Sequence, residues 1–532
     1  MNKIKESITN NLIFYKVTAL AFFAQYLIYG IFLNDSYISD NIGSEAAWTC
    51  APPPASLAYY FGQGRGMTFF HDLLLYNMSA KLGYNRLHNV WPITLMMYIF
   101  MAFAVGIFYV TLSKYFKKRE GINWFLFIIL LVGIINPFFT EFYGYYAIET
   151  ASALWCVAIS ISYFARKKYI PCFIWLFVSE CTYQNMFEAF FIWALIIVML
   201  ESDFHFNLRS FKNYVNAGIL AVLSLVGNLL GTKIAIWATY GFDYDMLERY
   251  STATPVKLYT ATAAMGVVIE SKKMWLFGFS VESLIRNLIN ALGAVFKNVE
   301  YPSGWFLIMA IIACGLILVI LLKNKHTIGD VLGNALVLLG MNLTFLAIYF
   351  TGTADYSGRL LWPFFVSAAG SCLLLYRLLE DSTTPRYILA GVVAISCLVL
   401  VYFTESYSAD YYMRMAIDSQ VIGTIHSEIE EYEAESGNEI TKISVYHSPD
   451  MEYTSKYLIN DYPFRSYSYN SKTYYRSWAD VNLINVLYDE NYERLVATED
   501  EAKKYFGEAE WTEFNPSQQL VFEGDTLYWA KY

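Results

Sequence analysis

Two carboxylates and one arginine lie in the polar stretch that follows the first strongly apolar segment. Asp35 and Asp40 come directly after the apolar residues 12–33, and Arg65 stands between two glycines. A carboxylate beside an apolar surface can have a raised pKa, which suits a general base. A guanidinium between glycines can approach a phosphate together with backbone N–H groups. We expect Asp35, with Asp40 in reserve, to be catalytic and Arg65 to bind phosphate; a helix cap and a lipid-headgroup contact are the alternatives.

Four further polar side chains are predicted on the same side of the membrane. Glu141 follows the third apolar segment, and Tyr183 and Gln184 interrupt the apolar stretch 169–200. Arg359 precedes a late apolar segment. If these places meet at one cavity, Glu141, Tyr183 and Gln184 would bind the substrate and Arg359 would be a second phosphate ligand. For Arg359 the alternative is an interfacial anchor.

Signals for a metal or a nucleotide cofactor are absent from the sequence. No two of the six histidines have the i, i+3 or i, i+4 spacing that places two ligands on one helix face. There is no P-loop and no Gly-x-Ser-x-Gly nucleophile motif. Because arginine can bind a leaving phosphate without a metal ion, we expect neither a metal nor a cofactor.

The composition indicates that these residues are positioned by membrane helices. Of the 532 residues, 56% are hydrophobic and 16% charged, and the mean hydropathy is +0.36. A soluble domain has about 45–50% apolar and about 25% charged residues. Residues 404–532 contain 10 basic and 24 acidic residues, against 27 and 22 in residues 1–403. The acidic C-terminal part argues against nucleic acid as a partner, because phosphate neutralisation needs clustered Lys and Arg.

Nine segments are apolar and long enough to cross a bilayer, which takes about 20 residues. They are 12–33, 92–113, 122–140, 146–165, 214–236, 304–322, 328–351, 360–377 and 386–403. The interrupted stretch 169–200 is short for two full spans, so it predicts a pair of shortened helices beside a cavity. The chain is therefore predicted to be an α-helical polytopic membrane protein with about 11 membrane helices.

Basic residues in short loops predict the orientation in the membrane. Placing Lys114–Arg119, Arg166–Lys168 and Lys323–Lys325 in the cytoplasm puts the N-terminus on the same side. No cleavable signal peptide is predicted, because the first apolar run is long and lacks a small-residue cleavage site. The segments that then face outward are 34–90, 237–303, Thr351–Arg359 and the residues after 403.

The division at residue 403 predicts two domains, a membrane domain over 1–403 and a small acidic α/β domain over 404–532 outside the cytoplasm. The second domain is predicted to contain helices over 410–435 and 500–506 and strands over 440–447, 494–497 and 519–531.

Several short motifs resemble those of a known family. They are Asn34-Asp35-x-Tyr37-x-Ser39-Asp40, Gly64-Arg65, Asn136-Pro137, Cys181-Thr182-Tyr183-Gln184 and Gly358-Arg359. The order of these motifs and their positions relative to the spans resemble those of the bacterial Gtr type II glucosyltransferases. The resemblance covers residues 10–420. That family is similar to the GT-C class of membrane glycosyltransferases. The Gtr type II pattern often has two adjacent acids after the first span. In this chain Asn34-Asp35 occupies that position, which leaves Asp35 as the better candidate for the base.

The resemblance implies an enzyme of the bacterial cytoplasmic membrane that works on the outer face. Such an enzyme takes a sugar, usually glucose, from a polyprenyl-phosphate carrier and adds it to a cell-surface glycan with inversion at the anomeric carbon. The implied partners are the lipid-linked donor, the glycan acceptor, the bilayer and a protein that makes or flips the donor.

Three other functions remain open from the sequence. A glycan polymerase or ligase would also use outer arginines and a lipid-linked donor, but such proteins usually have a large outer loop late in the chain. A transporter or flippase needs charged residues along a path through the bilayer, whereas the acids here gather at one face. A non-catalytic assembly protein is the third alternative.

Overall fold

The computed structural model describes most of the helical part and the central elements of the C-terminal part. The described residues are 2–34, 65–68, 71, 91–117, 121–144, 148–240, 281–296, 302–351, 358–446, 453, 456–460, 471–475, 479–507, 509, 511 and 513–531.

Helices dominate the described residues, and four short strands lie near the C-terminus. The helices are α1 (Asn2–Tyr29), α2 (Trp91–Leu112), α3 (Trp124–Val132), α4 (Pro137–Gly144), α5 (Ile148–Ala165), α6 (Tyr169–Thr182), α7 (Met186–Glu201), α8 (Leu208–Tyr240), α9 (Val281–Phe296), α10 (Pro302–Lys323), α11 (Ile328–Leu343), α12 (Gly358–Leu361), α13 (Pro363–Leu378), α14 (Thr383–Ser436), α15 (Asp480–Tyr488), α16 (Glu499–Phe506) and α17 (Pro516–Gln519). The strands are β1 (Lys442–Tyr446), β2 (Glu493–Val496), β3 (Leu520–Glu523) and β4 (Thr526–Ala530). Turns of 3₁₀ helix cover Gly30–Leu33, Ser113–Tyr115, Thr344–Thr351 and Thr473–Tyr475.

Seven helical segments among the described residues are long and apolar enough to cross a membrane. They are Leu12–Leu33, Trp91–Tyr115, Ile148–Ala165, Ser303–Lys323, Ile328–Ala347, Gly358–Leu378 and a part of Thr383–Ser436. The bent pair α3 and α4 qualifies as an eighth span if it is counted as one. These segments support a helical, multi-pass membrane protein. The total of about 11 spans and the orientation remain predictions.

The third predicted span is not one continuous helix. Instead of a helix over 122–140, α3 and α4 meet at an angle of 60°. Pro137 has no N–H group to continue the helix, and Asn136 caps the next one by accepting a hydrogen bond of 2.9 Å from Phe139 N. The Asn136 amide also donates to Val132 O at 2.9 Å, which ends α3. The bend turns α4, and with it Glu141, away from the direction of α3.

The predicted pair of shortened helices within 169–200 is confirmed. α6 has 14 residues and α7 has 16, and Tyr183, Gln184 and Asn185 separate them. Tyr183 has extended backbone angles (φ −150°, ψ 109°), so the helical hydrogen-bond pattern stops there. The last residues of α6 and the first of α7 therefore leave backbone groups that other segments can contact.

The predicted last span and the predicted helix over 410–435 are a single helix. α14 has 54 residues, which corresponds to a length of roughly 80 Å. The expected domain boundary at residue 403 lies inside this helix. α14 contributes Tyr407 and Tyr411 to the core of the helical part and Ile422 and Ile425 to a second core around the sheet.

The C-terminal sheet has the strand order β2-β1-β4-β3. β1 is parallel to both of its neighbours, and β3 is antiparallel to β4. The strands expected over 440–447 and 494–497 and the helix expected over 500–506 are confirmed. The single strand expected over 519–531 is wrong, because Gly524 and Asp525 form a turn that divides it into β3 and β4. The sequence also did not predict α15.

Candidate functional site

The two predicted catalytic carboxylates, Asp35 and Asp40, lie outside the described residues. The described residues of this segment end at Asn34, one residue before Asp35 and after the 3₁₀ turn Gly30–Leu33. This turn is fixed against α4, since the Phe32 and Tyr143 rings stack with centroids 6.0 Å apart. The role of Asp35 as a base, and of Asp40 as its reserve, remains a prediction.

Arg65 lies over the aromatic ring of Tyr183. The guanidinium carbon is 4.8 Å from the ring centroid, within the range of a cation–π contact. The arginine is half-buried, and its Nε is buried with no hydrogen-bond partner among the described residues. A buried donor without an acceptor costs about 1–3 kcal/mol, and charged groups cost more. An anionic group bound near Arg65 would supply the hydrogen-bond acceptor that Nε lacks among the described residues.

The segment that carries Arg65 is attached to the end of α6. Thr68 is buried, and its hydroxyl donates a hydrogen bond of 2.9 Å to Thr182 O, the last residue of α6. Thr68 N also donates to Arg65 O at 2.9 Å, which closes a turn. Further along, the ring of His71 bridges Met67 O and the Ser152 hydroxyl, with both distances 3.0 Å. These contacts fix Arg65 beside the break between α6 and α7.

Glu141 and Arg359 are joined through the arginine backbone. Glu141 is fully buried, and its Oε2 accepts a hydrogen bond of 2.9 Å from Arg359 N. On the other side, the Asn185 side-chain amide donates to Arg359 O at 2.9 Å. Gly358 permits this approach, because a Cβ there would lie 3.0 Å from Phe138 Cα. The backbone of Arg359 is thus held between α4 and the start of α7.

Aromatic rings close the cluster between these two parts. Phe142, next to Glu141, packs edge-on against Tyr183 with ring centroids 5.5 Å apart. Trp362 packs edge-on against Phe139 at 5.3 Å, and its indole Nε1 is buried with no hydrogen-bond partner among the described residues. Four predicted site residues are therefore in one network of contacts: Arg65, Tyr183, Glu141 and Arg359. Gln184, the fifth one described, is half-buried between Tyr183 and Asn185.

The structure adds residues that the sequence did not indicate. Asn185 directly follows the predicted Tyr183 and Gln184, so its place in the polar interruption was a usable signal. Thr68 and Trp362 gave no signal, because their partners are far away in the sequence. The Thr68 hydroxyl contacts a residue 114 positions later, and no spacing rule connects the two.

α14 contacts α4 and the 3₁₀ turn that follows α1. The Tyr411 hydroxyl donates to Gly144 O at 3.0 Å, and the Tyr411 ring packs edge-on against Phe32 at 5.2 Å. Phe32 belongs to the 3₁₀ turn that follows α1, three residues before Asp35. The helix that leads into the acidic C-terminal part therefore contacts both α4 and the turn that precedes Asp35.

No family model, no curated protein and no solved structure matches this chain. The resemblance to the Gtr type II glucosyltransferases therefore remains a prediction from the motifs. The geometry provides a cation, Arg65, on the Tyr183 ring, and the same network of contacts contains the buried Glu141 and a second arginine, Arg359, whose backbone is fixed. Such an arrangement can bind an anionic group at the edge of an apolar, helical protein.

Proposed function

We propose that this protein is a membrane glycosyltransferase of the GT-C type. It would transfer a sugar from a polyprenyl-phosphate carrier to a glycan outside the bacterial cytoplasmic membrane. The observation that supports this most is the Arg65 guanidinium, which packs on Tyr183 with a buried Nε that lacks an acceptor among the described residues. A phosphate oxygen would supply that acceptor.

The chemistry needs one base and one or more cations. The acceptor hydroxyl oxygen attacks the anomeric carbon, the bond from that carbon to the phosphate oxygen breaks, and the hydroxyl proton goes to Asp35. The polyprenyl phosphate leaves with the added negative charge, which Arg65 and Arg359 stabilise. Attack from the face opposite the phosphate inverts the anomeric configuration.

The half-buried Gln184 would bind the sugar through its side-chain amide. Tyr183 would act through Arg65, because its buried ring lies under the guanidinium and against Phe142. Glu141 acts mainly as a positioning residue in this proposal, because its Oε2 already accepts the Arg359 N–H group. The membrane helices would hold the polyprenyl chain, which is as apolar as the lipid around it.

The experiment is a transfer assay with the purified full chain in liposomes. Short-chain polyprenyl phosphates carrying single sugars, and polyprenyl pyrophosphates carrying oligosaccharides, are supplied with a bacterial surface glycan. The proposal predicts release of free polyprenyl monophosphate from one of the single-sugar donors. Release of polyprenyl pyrophosphate from an oligosaccharide donor would instead indicate a polymerase or ligase, and movement of an unchanged donor across the bilayer would indicate a flippase.

Asp35→Asn tests the base within the same assay. An amide keeps the size of the side chain but cannot accept the proton, so we expect turnover to fall by about 10²–10⁴-fold with little change in donor binding. Near-normal turnover would assign Asp35 to a helix cap, which asparagine also provides, and would transfer the role to Asp40.

A further inference from the structure

A second polar cluster lies at the other end of α7. His205 follows α7, His326 follows α10, and Asp330 lies in the first turn of α11. One ligand atom from each lies within 4.8 Å of the other two. The Nδ1 atoms of His205 and His326 are 3.5 Å and 3.9 Å from Asp330 Oδ2, and the two imidazole centroids are 4.6 Å apart. α7 separates this cluster from Asn185 by about 24 Å.

The loop that carries His205 is held rigidly against α11. The Asn334 side-chain amide donates to Phe204 O at 2.6 Å, and Phe206 N donates to Asp330 Oδ1 at 2.6 Å. The residues on both sides of His205 are therefore attached to the helix that carries Asp330.

The loop that carries His326 is equally short and fixed. His326 N donates to Leu321 O at 3.1 Å and Lys325 N donates to Leu322 O at 3.2 Å, which closes the end of α10. Thr327 then caps α11, with its hydroxyl accepting from Asp330 N at 3.1 Å. His326 thus has little freedom to move away from Asp330.

Helix capping explains part of this arrangement but not the two histidines. Asp330 Oδ2 accepts from Thr327 N at 3.0 Å and from the Thr327 hydroxyl at 2.8 Å, as in a capping box. Asp330 Oδ1 accepts one more bond, from Phe206 N. Three of about four lone-pair positions of the carboxylate are therefore used, and the remaining one is on Oδ1. His326 is nearly buried, with a side-chain exposure of 12%, and its Nδ1 is buried with no hydrogen-bond partner among the described residues.

We propose that His205, His326 and Asp330 bind a divalent transition-metal ion, with Zn²⁺ as the occupant. Two imidazoles and one carboxylate are ligands that Zn²⁺ accepts, whereas Mg²⁺ and Ca²⁺ prefer oxygen ligands only. Bonds of about 2.0–2.2 Å in a tetrahedron place ligand atoms about 3.3 Å apart. The observed 3.5 Å and 3.9 Å to Oδ2, and a His205–His326 ligand separation of no more than 4.8 Å, are closed by side-chain rotations that also bring the remaining lone pair of the Asp330 carboxylate to the metal. Water completes the site, and the metal links the α7–α8 turn to the α10–α11 turn.

This site was not predicted from the sequence, because the ligands come from two separate turns. His326 and Asp330 are four residues apart, but the second histidine is 121 positions before His326 in the chain. The proposal does not depend on the proposed glycosyltransferase activity, since the two clusters lie at opposite ends of α7. By the positive-inside prediction, the metal cluster faces the cytoplasm.

The test uses the full chain, purified in detergent without a histidine tag and treated with a chelator. Zn²⁺, Co²⁺ and Mg²⁺ are added separately, and metal content after gel filtration, Co²⁺ visible absorption and Tm are measured. We expect one Zn²⁺ or Co²⁺ per chain and a Tm rise of a few degrees, with no effect of Mg²⁺. His205→Ala should lower the affinity by more than about 100-fold; its side chain is 56% exposed, so the fold should tolerate the change.

Asp330→Asn and a matched histidine variant complete the test. Asparagine can still cap α11 but lacks the negative charge, so Asp330→Asn should also weaken metal binding. His426→Ala is the control, because His426 also lies beside carboxylates, Glu430 and Glu490, but outside the cluster, and should leave binding unchanged. Absence of stoichiometric metal, or equal binding by the His205→Ala and His426→Ala variants, would overturn the proposal.

Discussion

The backbone N–H group of Arg359 donates a hydrogen bond of 2.9 Å to Oε2 of the fully buried Glu141. The two residues are 218 positions apart in the sequence. The Asn185 side-chain amide also donates a hydrogen bond to Arg359 O. A carboxylate and an amide together therefore fix the backbone of a proposed phosphate ligand. Glu141 therefore links the bend after α3 to the position of Arg359.

Replacement of Glu141 should destabilise the protein most when the new side chain cannot accept the hydrogen bond from Arg359 N. Glu141→Ala leaves the Arg359 N–H group without its acceptor in a buried place, so we expect a loss of about 1–3 kcal/mol in unfolding free energy. Glu141→Gln keeps an acceptor oxygen and should cost less than half as much. Unfolding in detergent checks this, with the exposed Glu405→Ala as a control. Equal losses for the alanine and glutamine variants would contradict the assigned bond.

A methyl group at Gly144 should disturb the contact between α4 and α14. A Cβ at this position would lie 2.6 Å from Cε2 of Tyr411, so Gly144→Ala must displace a buried ring. We expect a loss of about 1–3 kcal/mol in stability. Combining Gly144→Ala with Tyr411→Leu should recover part of that loss, which a double-mutant cycle measures. Gly391→Ala in α14 is the control, since nothing lies within 4 Å of its Cβ position; strictly additive effects would disprove the contact.

These two contacts show what the sequence could and could not predict. Apolar segments and alternating strands are local signals, so the spans, β1, β2 and the break at Tyr183 were predictable. Asn136-Pro137 is also a local signal, but the apolar residues on both sides suggested one continuous span, and the bend was missed. The pairing of Glu141 with Arg359 is a long-range contact that no local pattern encodes. Similarly, nothing local predicts that Tyr411 packs on Gly144.

The C-terminal part should become more stable as the pH rises above about 8. Burial lowers the pKa of the Lys531 ammonium from 10.5 to about 8, and the nearby Asp480 offsets this only in part. Between these values the unfolded chain binds more protons than the folded one, so stability increases with pH. Lys531→Met removes this titration and leaves Asp480 paired with Arg494 at 2.7 Å.

The measurement compares Tm of the full chain and of Lys531→Met between pH 7 and pH 10. The advantage of the wild type over the variant should grow with pH, by at most about 3 kcal/mol in unfolding free energy. A difference that stays constant or shrinks over this range would mean that Lys531 keeps an ordinary pKa.

The most direct measurement of the central claim is acceptor-dependent release of polyprenyl phosphate by the wild type and two arginine variants. We predict that the wild type releases it and that Arg65→Ala lowers kcat/KM by about 10- to 100-fold, the worth of hydrogen bonds to a charged group. Arg65→Lys should recover only part of this loss, because an ammonium lacks the bidentate fork. The matched control is Arg377→Ala at the far end of α13, where the arginine pairs with Asp203 and Glu380. No release from any single-sugar donor, or equal rates for the Arg65→Ala and Arg377→Ala variants, would contradict the account.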